Sequence, residues 1–195
     1  NDPAGNTLAV IVLVVMIVSV IWLGYSFLRE TSAPTTPARR PEWLLPLLSV
    51  IGLGIALYLT FVEVTQTSAI CGPIGNCNAV QRSPYARLFG VLPVGILGAA
   101  GYIAILAAWL VGYLGRRNGR QTWERFSALA VWAMVWFGML FTIYLTFLEP
   151  FVIGSTCIWC LSSAIVMTLL LWITTGPAKE AFFTEDPLLL EDEAE

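Results

Sequence analysis

The sequence predicts an all-α integral membrane fold with five transmembrane helices, and three observations carry that expectation. Apolar residues make up 57% of the chain and charged residues 12%, against about 45–50% and about 25% in soluble domains. The charges are segregated, with none in residues 3–28, 43–62, 88–115, 126–148 and 150–178. Each of these stretches has at least 20 residues, enough for a helix to cross a hydrocarbon core of about 30 Å. A soluble protein of 195 residues has no interior able to hide five such segments.

The first span covers about residues 7–28 within a segment 1–30, and it is apolar on every face. No basic residue precedes it, Arg29 follows it, and no small-residue cleavage site ends it, so it reads as a membrane helix and not as a signal peptide. Residues 31–43 form a linker in which Pro34, Pro37 and Pro41 resist helix formation; it sets the first helix apart from the rest. Residues 44–178 hold the other four spans, at about 44–62, 91–114, 126–147 and 158–175. Arg116-Arg117-Asn118-Gly119-Arg120 is a short basic turn between the third and fourth spans. Residues 63–90 are a different kind of connection, because structureless loops above about 12–15 residues are uncommon and usually functional. Pro84 and Pro93 interrupt this part of the chain, which predicts a short amphipathic half-helix lying along the interface. Residues 179–195 are an acidic, solvated tail with Glu185, Asp186, Glu191, Asp192 and Glu193. The chain opens Asn1-Asp2-Pro3 without an initiator methionine, which suggests a processed form or a fragment.

Charge also predicts orientation. With Arg29, Arg39, Arg40, Arg116, Arg117, Arg120, Arg125 and Lys179 inside, eight of the ten basic residues are cytoplasmic and only Arg82 and Arg87 lie outside. All four cysteines (Cys71, Cys77, Cys157 and Cys160) then face the extracytoplasmic side with the N-terminus, and the C-terminus is cytoplasmic. That compartment is the oxidising one, where disulfides persist. The scattered arginines give no support for nucleic-acid binding, and the absence of histidine removes the commonest general base and metal ligand.

The sequence repeats itself at an offset of 86 residues. Tyr58-Leu59-Thr60-Phe61-Val62-Glu63 matches Tyr144-Leu145-Thr146-Phe147-Leu148-Glu149 at five of six positions, and the same offset carries Cys71 onto Cys157. The repeat predicts two cysteine pairs at one bilayer depth, with Glu63 and Glu149 anchoring helix ends.

Cys157-Ile158-Trp159-Cys160 is a CxxC at the start of a span, after the potential cap residues Ser155 and Thr156. Positions i and i+3 share a helix face, within reach of a disulfide. A helix N-terminus also favours the thiolate. Cys71 and Cys77 form a C-x₅-C pair in the long loop, with Gly72, Pro73 and Gly75 to turn the chain. One pair in a loop and one at the bilayer edge suggest an electron shuttle. Spacing alone leaves two other readings open: a non-catalytic membrane subunit with structural disulfides, and a zinc site, for which C-x₅-C is a poor match.

Taken jointly, Cys71-x₅-Cys77, Val80, Ser83, Tyr85, Gly90, Pro93, Gly98 and Cys157-x₂-Cys160 resemble the vitamin K epoxide reductase family, in particular its bacterial members, over roughly residues 44–175. The resemblance implies a four-helix bundle around a quinone, here with one extra N-terminal helix. It implies a thiol:quinone oxidoreductase that supports disulfide formation, taking electrons from a thioredoxin-like partner. Cys71 exchanges with that partner, Cys77 attacks the Cys157–Cys160 pair, and Cys160 stands nearest a menaquinone, ubiquinone or vitamin K type acceptor. Ser83 hydrogen-bonds near the site, and Trp159 has the best claim of the eight tryptophans to touch the quinone. There are two departures: Ala164 stands where vertebrate members have a tyrosine, and residues 88–115 contain no asparagine to bind the quinone. No thioredoxin domain follows the last span, so the partner is expected to be a separate protein or to lie upstream of Asn1. Gly101, Ala104, Ala108 and Gly112 predict close helix packing. Trp132 and Trp136 read as lipid-facing bulk, with a cavity wall as the alternative.

Overall fold

The computed structural model describes residues 3–29, 43–71, 75–88 and 92–183. Most of the linker 31–43, Gly90 and the acidic residues from 185 onward lie outside the described residues. Among the described residues, five helices are long and apolar enough to cross a membrane: α1 Pro3–Arg29, α2 Leu44–Thr65, α4 Val94–Arg117, α5 Gln121–Leu148 and α6 Ile158–Phe183. The chain is a multi-pass membrane protein, as the charge-free stretches predict. Between α2 and α4 lies the one-turn helix α3, Cys77–Gln81.

Local chemistry sets the ends. α2 stops at Gln66, whose φ of 54° is left-handed. Arg116 and Arg117 occupy the last turn of α4, where cations complement the helix dipole. α5 runs into a π-helical turn, Glu149–Ile153, ended by Gly154 at φ 70°. Pro150 has no amide to donate, and single π-turns of this kind are frequent at functional sites. α6 contains Pro177 and continues to Phe183, so the first residues of the expected tail (179–195) are helical.

The half-helix expected over the outer loop is shorter than predicted. α3 is followed by a 3₁₀ turn, Pro84–Ala86, and by a small ribbon in which β1 (Arg87–Leu88) pairs antiparallel with β2 (Leu92–Pro93). The prolines explain this: each fixes φ and removes a donor, which leaves room for turns only.

α2, α4, α5 and α6 form the bundle, and α1 is part of it. Ala9, Leu13, Met16, Ser19 and Leu23 make a buried stripe on α1, and Met16 and Leu23 share one core with Val131, Val135, Leu170 and Leu171. Trp22 stacks on Trp172 at 5.1 Å, and Phe27 on Trp132 at 4.8 Å. Trp136 approaches Gly24. Trp132 and Trp136 therefore grip the first helix, which is neither of the roles the sequence offered for them. Helix α1 is also not set apart: small residues at helical spacing let it lie against its neighbours, a stripe that uniform hydrophobicity conceals.

Polar contacts order the two ends of the bundle. Thr156 donates to Asn6 Oδ1 at 3.0 Å, so the start of α1 lies at the cysteine end. At the other end Lys179 Nζ donates to Ser26 Oγ at 2.9 Å, and Arg125 donates to the Ala181 carbonyl.

The small-residue stripe of α4 divides its work. Ser127 Oγ donates to the Ala108 carbonyl at 2.8 Å, and a Cβ on Gly112 would overlap Ser127, so this half packs closely against α5. Gly101 has open space beside it and, with Ala104, lines a cavity. On α2, Gly52 leaves room for the Tyr102 ring, which a Cβ there would strike.

Candidate functional site

Cys71 and Cys77 are joined in a disulfide with their Cα atoms 6.1 Å apart, as the loop sequence suggested. Cys157 and Cys160 are free thiols. Tertiary structure brings the two pairs together: Cys77 and Cys157, both 0% exposed, share a buried cluster with Leu59, Val62 and Val80, and Cys71, Trp159 and Cys160 pack against it. Cys71 is the more exposed member of the loop pair.

Four hydrogen bonds order the loop, two of them tying it to the CxxC segment. Asn76 N–H donates to the Thr156 carbonyl at 2.9 Å. Ile70 N–H donates to Tyr58 Oη at 2.9 Å, Trp159 Nε1 donates to the Ile70 carbonyl at 3.0 Å, and Ala69 N–H donates to Asn78 Oδ1 at 2.8 Å. Gly75, at φ +94°, sits at the closest approach, where only glycine combines that backbone with the contact.

Trp159 is thus placed otherwise than expected. Its ring lies 4.6 Å from that of Tyr58, under the loop, and it does not line the cavity. Adjacent helix positions do not face the same way, so with Cys160 turned inward Trp159 must turn aside. Thr156 is not a side-chain cap for α6, because its hydroxyl donates to α1. Cys157 takes the capping position, and its carbonyl accepts from Leu161 N–H at 3.0 Å.

A cavity of about 630 Å³ opens between α2, α4, α5 and α6 beneath this centre. Its wall is mainly apolar, with Ala56, Leu59, Gly98, Phe137 and Phe141, and Cys160 opens onto it. Ser83 lines it too, its hydroxyl donating to the Val80 carbonyl at 2.7 Å. Farther in, Tyr102 Oη and Ser163 Oγ lie 3.1 Å apart. This hydroxyl pair is a feature that sequence reasoning missed, since nothing in the spacing of α4 and α6 links the two residues.

Glu63 and Glu149 are both buried on the cavity wall, which is more than anchoring helix ends. Glu63 is paired with Arg87 Nε at 3.3 Å. Glu149 Oε2 accepts from the Cys157 amide at 3.1 Å, and its carboxyl is in hydrogen-bonding reach of the Cys160 thiol. The repeat was the signal for this residue, although its two copies diverge after the shared acid. One ends in a left-handed turn at Gln66 and the other enters the π-turn. A hydrogen bond from the Cys160 thiol holds the Cys157 thiol below the ordinary cysteine range. Burial opposes this, while the Cys160 and Trp159 amides and the Gln81 side chain add to it.

Residues 43–175 match the Vitamin K epoxide reductase family. The chain belongs to that family. The match includes α2 to α5 and most of α6, and α1 precedes it. The chain is also 30% identical over 128 residues to the thiol-disulfide oxidoreductase LTO1 of Arabidopsis thaliana, covering 63% of this chain and 32% of that protein. It therefore spans about a third of the length of that relative.

Proposed function

We propose that this family member is a membrane thiol:quinone oxidoreductase that supports disulfide formation. Electrons enter from a thioredoxin-like partner at Cys71, pass through Cys77 to Cys157–Cys160, and leave to a membrane quinone. One observation carries the reading: Cys77 and Cys157 share a single buried cluster, while Cys160 lies on the wall of a large apolar cavity. Stapling disulfides need no such convergence. In this reading residues 44–178 are the redox core, α1 is an added helix that buttresses it, and residues 31–43 and 179–195 are cytoplasmic.

A quinone of the menaquinone, ubiquinone or vitamin K type suits the residues present. Its flat apolar ring matches the walls, and cavities of about 300–1,000 Å³ hold ligands of this size. Its carbonyl oxygens need donors, which Tyr102 and Ser163 can supply. A bound quinone supplies a two-electron sink, and the chain's own part is to bring Cys160 to the cavity and keep Cys157 reactive.

The test is a titration of purified protein with a short-chain quinone and a dithiol. Quinol should form in proportion to the dithiol oxidised, and Cys157→Ala should reduce the rate to background, a loss of at least about 10³-fold, as expected when a nucleophile acting as part of a unit is removed. Dithiol oxidation without quinol would sink the quinone assignment.

Orientation is read separately. With the cysteine end extracytoplasmic, a membrane-impermeant thiol reagent should label Cys71 on intact, reduced cells. Labelling only after the opposite face is exposed would reverse the proposed orientation.

A further inference from the structure

We propose that Glu149 is the acid–base group of the Cys157–Cys160 centre, taking the proton that Cys160 releases as the disulfide forms and holding it at the cavity wall. The assignment rests on the thiol-to-quinone reading above and names the proton route that reading lacks.

The geometry is specific. Glu149 is 3% exposed, and no ion pair to it occurs among the described residues. Its carboxyl accepts from the Cys157 amide at 3.1 Å, and it lines the same cavity as Cys160. The main chain holds it there, since the Glu149 carbonyl accepts from the amides of Gly154 and Ser155. The π-turn thus folds the end of α5 back beneath the start of α6. Burying a carboxyl without a cation is costly. A glutamine of the same shape would accept the same amide hydrogen bond without that cost, and what a carboxyl adds is an exchangeable proton.

Proton count requires such a group. With Cys157 entering as the thiolate, the balance is Cys157-S⁻ plus Cys160-SH plus quinone plus one proton, giving the disulfide plus quinol. The Cys157–Cys160 bond forms, the Cys160 S–H bond breaks, and two electrons leave to the quinone. One proton comes from Cys160 and one from water. Cys160 has a single proton to release; it packs in one cluster with Cys157 and shares the cavity wall with the Glu149 carboxyl. As the sulfurs join, the carboxyl is the neighbour left to receive it. The other titratable groups on this wall are engaged differently: Glu63 of α2 with Arg87, and Tyr102 of α4 with Ser163. Tyr85 of the 3₁₀ turn completes the set.

Two measurements on the full chain test the proposal. The first uses no quinone: infrared difference spectra between the dithiol-reduced and diamide-oxidised protein. Oxidation should change a protonated-carboxyl band that E149Q removes and E149D retains; a change that persists in E149Q, or none in the parent, overturns the assignment. The second is quinol formation against pH. E149Q should fall at least about tenfold (roughly 1.4 kcal/mol) and lose one ionisation from the profile. E149D, an acid on a shorter arm, should keep more activity than the isosteric E149Q. The reverse order, or equal loss in both, means that Glu149 only positions Cys157, and overturns the proposal. A parent that shows the band change but reduces no quinone overturns the electron acceptor and leaves Glu149 assigned.

Discussion

Cys160→Ser is expected to abolish quinol formation and to accumulate a disulfide between Cys77 and Cys157. Thiol exchange runs through a mixed disulfide, and its course depends on which sulfur is attacked and which leaves. Cys77 lies buried with Cys157 in one cluster, whereas Cys71 is partly exposed, so the inner loop sulfur is the one placed for attack. Cys157 is also the sulfur held below its ordinary range, which favours it as the nucleophile. The variant cannot form the Cys157–Cys160 disulfide, so the same mixed bond is reached by the reverse exchange: Cys157 attacks Cys77 of the loop disulfide and releases the Cys71 thiolate. No Cys160 thiol remains to resolve the bond, and an alkylating quench caps Cys71 before it can return. Peptide mapping without reductant should find Cys77–Cys157 as the main cross-link. A Cys71–Cys157 link in its place, or no link between loop and helix, would sink the proposed order of transfer.

Gly75→Val should uncouple the loop from the helix pair. At φ +94° a β-branched side chain is strained, and the new Cβ would stand 2.6 Å from the Thr156 carbonyl oxygen, a backbone atom that cannot rotate away. Strain of this kind costs about 1–3 kcal/mol, which shifts a docking equilibrium by roughly 5- to 150-fold. Oxidation of a protein thiol partner should therefore drop at least about fivefold. A small dithiol that reaches Cys157 directly should lose much less. Equal losses with the two donors would mean that the loop pair is not an obligatory relay.

The parts of the protein that were legible in the sequence are those governed by local chemistry. Charge-free stretches announced all five membrane helices, because transfer of charge into hydrocarbon is costly wherever in the chain it occurs. The loop disulfide followed from Cys71 and Cys77 flanking turn residues, and the family from the joint spacing of both cysteine pairs. Less legible was anything that depends on which way a helix face turns. Trp159 was the tryptophan expected to touch a quinone because it stands inside the CxxC, yet its ring packs on Tyr58 beneath the loop. Trp132 and Trp136 carried no sign of their partners, since a membrane helix is apolar towards lipid and protein alike. Glu149 had a signal, its match to Glu63 in the repeat, but the repeat could not distinguish an acid paired with Arg87 from one that accepts from the Cys157 amide beside the CxxC.

The sequence by itself determined that this is a multi-pass membrane protein, with five helices fit to cross a membrane among the described residues, because hydrophobicity, charge and residue spacing act over short stretches. Only the tertiary structure decided which of those residues meet. Cys77 reaches Cys157 across 80 residues of sequence, Tyr102 finds Ser163, and α1 locks onto Thr156 through Asn6. These contacts depend on small residues such as Gly52 and Gly75 that let elements approach, and on a π-turn that redirects one carboxyl. Their effect is exerted between segments distant in the chain, and no local pattern encodes the partner.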